Sequence, residues 1–274
     1  MKIVTLIEDH PSGNSLIKNE HGLSIFFKAD GINYLFDTGL TGLFLQNFRP
    51  LNVDEKEINK IIISHGHDDH AGGLMKLLKS IPQKPEIFVG EGFFNRKYKL
   101  LENKELESKS CGFSPSDLNG YVLKTVTQPV FQLSKSVYLF AHFKKTNDFE
   151  IIPAKYLVER ENKLQLDSFR EEVAIGIKTK TGLVVIVGCS HIGVVNILES
   201  IKKNSNFKIR GVIGGTHLIN CSKERLKKTS DYLKGLNLEF LAVSHCTGDE
   251  NIEFLKKEFG DRFILNNSGN TILI

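Results

Sequence analysis

The chain has few cysteines, no long apolar run and no excess of one charge. Its four cysteines, Cys111, Cys189, Cys221 and Cys246, are scattered without CxxC spacing. That pattern argues against a disulfide framework and a thiolate zinc finger, leaving buried or site-lining thiols. No stretch approaches the roughly 18 apolar residues that suggest a membrane span, so no membrane partner is expected. The opening residues MKIVTLIEDHPSG interrupt their apolar run with Glu8 and Asp9 and lack a small-residue cleavage site. They do not read as a signal peptide, and a cytoplasmic location is expected. Lys and Arg total 36 against 32 Asp and Glu, a net charge of +4. Without a basic stripe interleaved with aromatics, nucleic acid is not an expected partner; a small anionic molecule remains compatible. Internal repeats and low-complexity tracts are also absent.

At 274 residues the chain can bury a sizeable core, as one large domain or two small ones. Apolar runs separated by turn signals predict strands at Lys2–Ile7, Leu23–Lys28, Ile32–Phe36, Lys60–Ser64 and Glu86–Val89. Helical spacing covers Gly42–Phe48 and Gly72–Lys79. Further strands are expected at Val173–Lys178, Leu183–Val187, Arg210–Ile213, Phe240–Val243 and Thr271–Ile274, with helices at Val194–Lys203, Lys223–Gly235 and Asn251–Phe259. Early strands joined by hairpins and later strands alternating with helices fit an α/β class, two sheets with helices outside. Residues 93–170 have weaker periodicity, and FFNRKYKLLENKELESKS is heavily charged. A solvated insertion is the simpler reading of this stretch, and a lid over a site the sharper one.

Residues 62–74, IISHGHDDHAGGL, pack three histidines and two aspartates into six positions after an apolar strand. The cluster falls on the loop between that strand and a helix opened by Gly72–Gly73, where a rigid scaffold presents functional groups. His65 and His67, two apart, can face one cation, and Asp69 and His70 a second. Five ionisable groups this close would repel or waste solvation unless a cation pairs with them. Imidazole with a single carboxylate suits zinc first, with iron or manganese as alternatives, and suits calcium poorly.

The HxHxDH pattern at a strand end resembles the metallo-β-lactamase superfamily, and YLFDTG at 34–39 looks like that family's early strand ending in Asp and Gly. EHGLS at 20–24, DTG at 37–39, SHGHDDHAGG at 64–73, GCSH at 188–191, GGTHL at 214–218 and HCTG at 245–248 extend the likeness across nearly the whole chain. This combination is similar to the branch of 7,8-dihydropterin-6-methyl-4-(β-D-ribofuranosyl)aminobenzene-5′-phosphate synthases, often called dihydropteroate-synthase-like. The resemblance implies a four-layer αββα sandwich, one domain over 1–274 with an insertion or lid around 93–127. It assigns His65 and His67 to a first metal and Asp69 and His70 to a second, with His191 completing the first and His245 the second. His217 shares their placement at a strand end and could be a ligand, a substrate contact or a proton donor; a place outside the metal ligands is preferred. Asp37 is expected to hold a ligand imidazole by its other ring nitrogen. Glu8 and His21 are placed nearby by the resemblance alone, and His10 could be exposed. The chain departs from the superfamily's commonest pattern in lacking a clear Gly-Asp to bridge the metals. Cys189 stands there, as a bridging thiolate or, by default, an inert buried thiol. His142, the only histidine between the cluster and His191, reads as part of a strand.

Two cations about 3.5–4 Å apart can activate a shared water, with Asp69 orienting it and accepting its proton. Hydrolysis of a small ester, thioester, lactone or phosphoester is the leading expectation. A pterin-related transferase, a diiron redox protein and a non-catalytic metal sensor are the alternatives. The redox reading is weakened because the family's diiron members carry a glutamate where this chain has His67. Arg96, Lys97 and Lys99 could meet an anion, though a solvated charged face is the simpler reading. Gly214–Gly215 and a helix beginning near Asp249 could also approach an anion.

Overall fold

A computed structural model describes residues 1–274, apart from the side chain of Glu55. The first half contributes β1 (Lys2–Ile7), β2 (Ser24–Ala29), β3 (Ile32–Phe36), β4 (Lys60–Ile62), α1 (Asp68–Ala71), α2 (Leu74–Ser80) and β5 (Glu86–Gly90). The middle contributes β6 (Lys97–Leu100), β7 (Leu106–Ser108), β8 (Leu123–Val126), β9 (Val130–Gln132), β10 (Val137–Phe140), β11 (Tyr156–Arg160) and β12 (Lys163–Leu166). The remainder supplies β13 (Ala174–Lys178), β14 (Leu183–Val187), α3 (Val194–Asn204), β15 (Ile209–Gly215), α4 (Lys223–Gly235), β16 (Phe240–Ser244), α5 (Asp249–Phe259), β17 (Phe263–Leu265) and β18 (Thr271–Leu273).

Side-chain alternation sets the layers. Along β14, LVVIV is buried at every position, as a strand covered on both faces must be. Its Val184 and Ile186 face the other sheet, while Leu183, Val185 and Val187 pack under α3, α4 and α5. One seven-stranded sheet runs β18-β1-β2-β3-β4-β5-β8 and a second runs β17-β16-β15-β14-β13-β10-β9. Phe27, Tyr34, Phe36 and Phe88 of the first meet Leu139, Ile175, Ile186 and Ile213 of the second in the central core. On the first sheet's outer face, Leu35, Ile61, Ile63 and Ile87 pack with Phe44, Phe48, Leu74 and Leu77. The result is the four-layer αββα sandwich.

Strand direction positions the site. β3, β4 and β5 are mutually parallel, as are β14, β15 and β16, so the residues that follow them emerge along one edge of each sheet. Ligand crevices in α/β sheets lie beyond such carboxyl ends.

Several local expectations change. Gly42–Phe48 forms a 3₁₀ turn at Leu43–Asn47 rather than an α-helix. The histidine cluster is not wholly loop, because Asp68 accepts from the Asp69 N–H (3.0 Å) and starts the short α1. His142 is not in a strand; it lies beyond β10 in left-handed backbone at φ 52. The middle segment is more ordered than its periodicity suggests, since β6, β7, β11 and β12 form a third sheet in the order β12-β11-β6-β7.

Candidate metal centre

Asp37 organises the first half of the site. It follows β3 in left-handed backbone (φ 62), fully buried, and its carboxylate accepts from the Ser64 N–H (2.6 Å), the Ser64 hydroxyl (2.8 Å) and His70 Nδ1 (2.6 Å). Having donated to Asp37, the Ser64 hydroxyl is left to accept from His65 Nδ1 at 2.9 Å. One carboxylate thus sets the tautomer of two imidazoles, directing Nε2 lone pairs inward from both His65 and His70. Gly188 permits the close approach of β14 to β4, because a Cβ there would lie 2.3 Å from Ser64 Oγ.

The second half mirrors this arrangement. His245 follows β16 at φ 56, its N–H donates to Glu8 (2.5 Å) and its Nδ1 donates to Asp9 (2.7 Å). Its Nε2 then points at His70 Nε2, 3.2 Å away, and at Asp69 Oδ2, 3.4 Å away. Asp69 Oδ2 is also 3.6 Å from His70 Nε2 and 3.4 Å from His21 Nε2. His191 leaves β14 on a turn whose His191 and Ile192 N–H groups donate to Glu172 (2.9 and 3.1 Å). Its ring lies flat on Phe169 at 3.9 Å between centroids and within 4.8 Å of His65 and 4.7 Å of His67.

Electrostatics favour cation binding. Burial pushes His65, His67 and His191 well below the ordinary histidine pKa, leaving neutral donors. His65 Nε2 and both ring nitrogens of His191 are buried without a hydrogen-bond partner, which is costly unless a cation takes the lone pair of His65 Nε2 and that of the unprotonated His191 nitrogen. Burial opposes ionisation of Asp69, yet His70 and His245 outweigh it and hold the carboxyl well below its usual range. Burial likewise opposes charge on His245, but hydrogen bonds to Asp69 and Asp9 overcome it. Positive charge is therefore stabilised between these groups.

The donor geometry passes the test for a bound cation. Donors sharing one tetrahedral zinc should lie about 3.3–3.6 Å apart, given the usual Zn–N and Zn–S bond lengths. His70, His245 and Cys189 lie 3.1–3.3 Å from one another and Asp69 Oδ2 lies 3.4–3.6 Å from the two histidines, close to that spacing. His65, His67 and Asp69 form another close cluster, and His65, His191 and Cys189 a third.

Each residue singled out in the sequence can now be placed. His65, His67, Asp69, His70, His191 and His245 converge, with Asp37 behind them and Cys189 between. His217 lines the same opening in left-handed backbone (φ 48), with Nδ1 buried and unpartnered. Glu8 and His21 are close, whereas His10 bonds Glu8 and Asp249 outside the cluster. Lys97 does not reach an anion site: it is buried in ion pairs with Asp167 (2.5 Å) and Glu171 (2.6 Å). Arg96 lies 3.8 Å from Glu159 and is mostly exposed. The start of α5 is occupied by its own Asp249, bonded to His10.

A cavity of about 220 Å³ opens over the cluster, lined by His67, Asp69, His191, His217 and His245 together with Lys99, Lys109, Lys155 and Tyr156. Burial pushes the Tyr156 phenol above its ordinary pKa, so it stays protonated. Sequence reasoning missed Asp9, Glu172, Lys109, Lys155 and Tyr156. Asp9 had a signal, an acid just past a strand end like Asp37; Glu172 sits directly before the Val173–Lys178 strand with no motif to mark it, and the other three come from the stretch of weak periodicity.

Residues 18–188 match the family described as "Metallo-beta-lactamase superfamily". The chain is 32% identical over 286 aligned positions, 99% of this chain and 96% of the relative, to "7,8-dihydropterin-6-methyl-4-(beta-D-ribofuranosyl)-aminobenzene-5'-phosphate synthase" of Methanocaldococcus jannaschii. The crystal structure described as "Tm1679, a metal-dependent hydrolase of the beta-lactamase superfamily" superposes with TM-score 0.85 at 29% identity, over 100% of this chain and 99% of that one. Zn(2+)-bound PqqB from Methylobacterium extorquens shares the fold, with TM-score 0.61 at 11% identity and full coverage of both chains. The chain belongs to the metallo-β-lactamase superfamily and, within it, to the family of the M. jannaschii synthase.

Proposed function

We propose that this protein is a metal-dependent hydrolase of a small anionic ester, thioester, lactone or phosphoester. The observation that carries the reading is the convergence of two donor sets, with unpartnered buried nitrogens, at the floor of a lysine-rimmed cavity. In this reading His65, His67 and His191 hold one divalent cation and Asp69, His70 and His245 a second, zinc first and iron or manganese as alternatives. When bound, the cations supply Lewis acidity that lowers the pKa of water and polarises a substrate oxygen. Asp69 shares Oδ2 with His21, His70 and His245, leaving Oδ1 to accept a proton from the attacking water. Lys99, Lys109 and Lys155 hold the anionic end of the substrate, and Tyr156, kept protonated by burial, donates a hydrogen bond to it or to the leaving group. His217, whose ring lies 5.7 Å from that of Tyr156, contacts the substrate beside it.

The M. jannaschii relative favours a second reading, a synthase acting on a pterin-related phosphate at the same site. Metal analysis of protein purified without added metal or affinity tag, with assays against phosphodiesters, thioesters and lactones, separates the two. Two zinc or manganese ions and turnover of one class support the hydrolase. Metal without hydrolysis favours the synthase, and two irons without hydrolysis a redox role. Full metal content and activity in His67→Ala or Asp69→Asn would overturn the site itself.

A further inference from the structure

We infer that Cys189 is itself a metal ligand, its thiolate shared between the two cation positions. This rests on the two-cation reading above. The sulfur lies 3.1 Å from His70 Nε2 and 3.3 Å from His245 Nε2, inside the donor set that includes Asp69. It also clusters with His65 and His191, whose inward nitrogens have no other partner. It therefore reaches both groups of imidazoles from the floor between them.

The orientation of the imidazoles favours a ligand over an inert thiol. His70 places Nδ1 on Asp37 and His245 places Nδ1 on Asp9, so a cation that displaces the second proton of His245 meets both Nε2 atoms, 3.2 Å apart, and the Cys189 sulfur turned to one point. A cation held by both nitrogens and the thiolate satisfies all three. On coordination the thiol proton passes to solvent, and no electrons change hands. Cys246 groups with Cys189 and His217 and with neither imidazole set: its thiol donates to the Cys189 carbonyl (3.2 Å) and accepts from the His217 N–H (3.3 Å). It serves as the internal control.

The test is cobalt(II) loading of the reduced, full-length protein, followed by elemental analysis and near-ultraviolet absorption. The wild type should retain about two equivalents and show a sulfur-to-cobalt charge-transfer band. Cys189→Asp should keep both equivalents and lose the band, and Cys246→Ser should keep the band. Cys189→Ala should weaken retention by at least the ~10–100-fold that loss of an outer partner costs. Two equivalents without a band in the wild type would overturn the assignment while leaving the two-cation reading intact. A band that survives in Cys189→Asp, or vanishes only in Cys246→Ser, overturns it as well. A wild type that retains no cobalt overturns the two-cation reading and this assignment with it.

Discussion

Asp37 touches no cavity, yet three of its hydrogen bonds decide which way two imidazoles point. An amide in its place has one acceptor oxygen, so it cannot accept from the Ser64 N–H on one side and from both Ser64 Oγ and His70 Nδ1 on the other. Asp37→Asn should therefore retain the fold while weakening metal retention by roughly 10–100-fold. Competition with a chromophoric chelator measures this, and unchanged retention would show that the tautomers are set elsewhere. Asp37, Ser190, His217 and His245 all adopt left-handed backbone, which favours glycine in an unconstrained chain. His217 and His245 line the opening and Asp37 and Ser190 lie buried, so these constrained residues gather where side-chain direction is fixed at the expense of backbone comfort.

Several elements around the candidate site were readable because they obey simple periodicities. β1, β3, β14 and α4 fall where alternation or helical spacing puts them; the apolar runs of β1 and β3 end directly before Glu8 and Asp37, and that of β14 ends at Val187, with Gly188 before Cys189. The third sheet was not readable. Its strands are short, charged and only partly buried, and they are stabilised by long-range contacts that leave no local pattern. Lys97, which reads as a surface charge, is its buried anchor between Asp167 and Glu171. The sheet reaches the histidine cluster through an antiparallel bridge between His67 and Ser110 and a hydrogen bond from the Asp68 N–H to the Lys109 carbonyl (3.0 Å). Lys99 on β6, Lys109 just after β7 and Lys155 just before β11 thus arrive on one wall of the cavity. Each is partly solvated, so a contact to an anionic substrate should contribute at most ~1 kcal/mol. Replacing each by Gln should lower kcat/KM roughly fivefold, mainly through KM, with the salt dependence flattened in the triple variant. Equal losses on anionic and neutral substrates would count against a charge-recognising wall.

At the scale of the whole chain, the proposed metal donors come from both sheets, so a cation held by them would couple the two halves of the sandwich. A ligand present at a hundredfold its Kd stabilises the native state by about 2.7 kcal/mol. Chelation should accordingly lower Tm by roughly 5–10 °C in a chain of this size, reversibly on adding zinc or manganese; an unchanged Tm would show that the halves hold without it. A second long-range tie joins the end of β1 to the start of α5, where His10 bridges Glu8 (3.1 Å) and Asp249 (2.9 Å). Hydrogen bonding to Glu8, against some burial and with help from Asp249, raises the His10 pKa from 6.5 to about 9. A histidine raised in the folded state contributes stability that is complete below its unfolded pKa and disappears as pH climbs through the folded one. The His10 contribution should therefore be full below pH 6.5 and gone above about 9. Glu172, pushed up to about 8 by burial, titrates in the same window, so the wild-type slope alone is ambiguous. The difference between wild type and His10→Gln is not, because Glu172 is common to both. Thermal melts across that range should show the two proteins furthest apart in Tm at the acid end and converging as pH approaches and passes 9, whereas parallel curves would mean that His10 does not carry its charge in the folded chain.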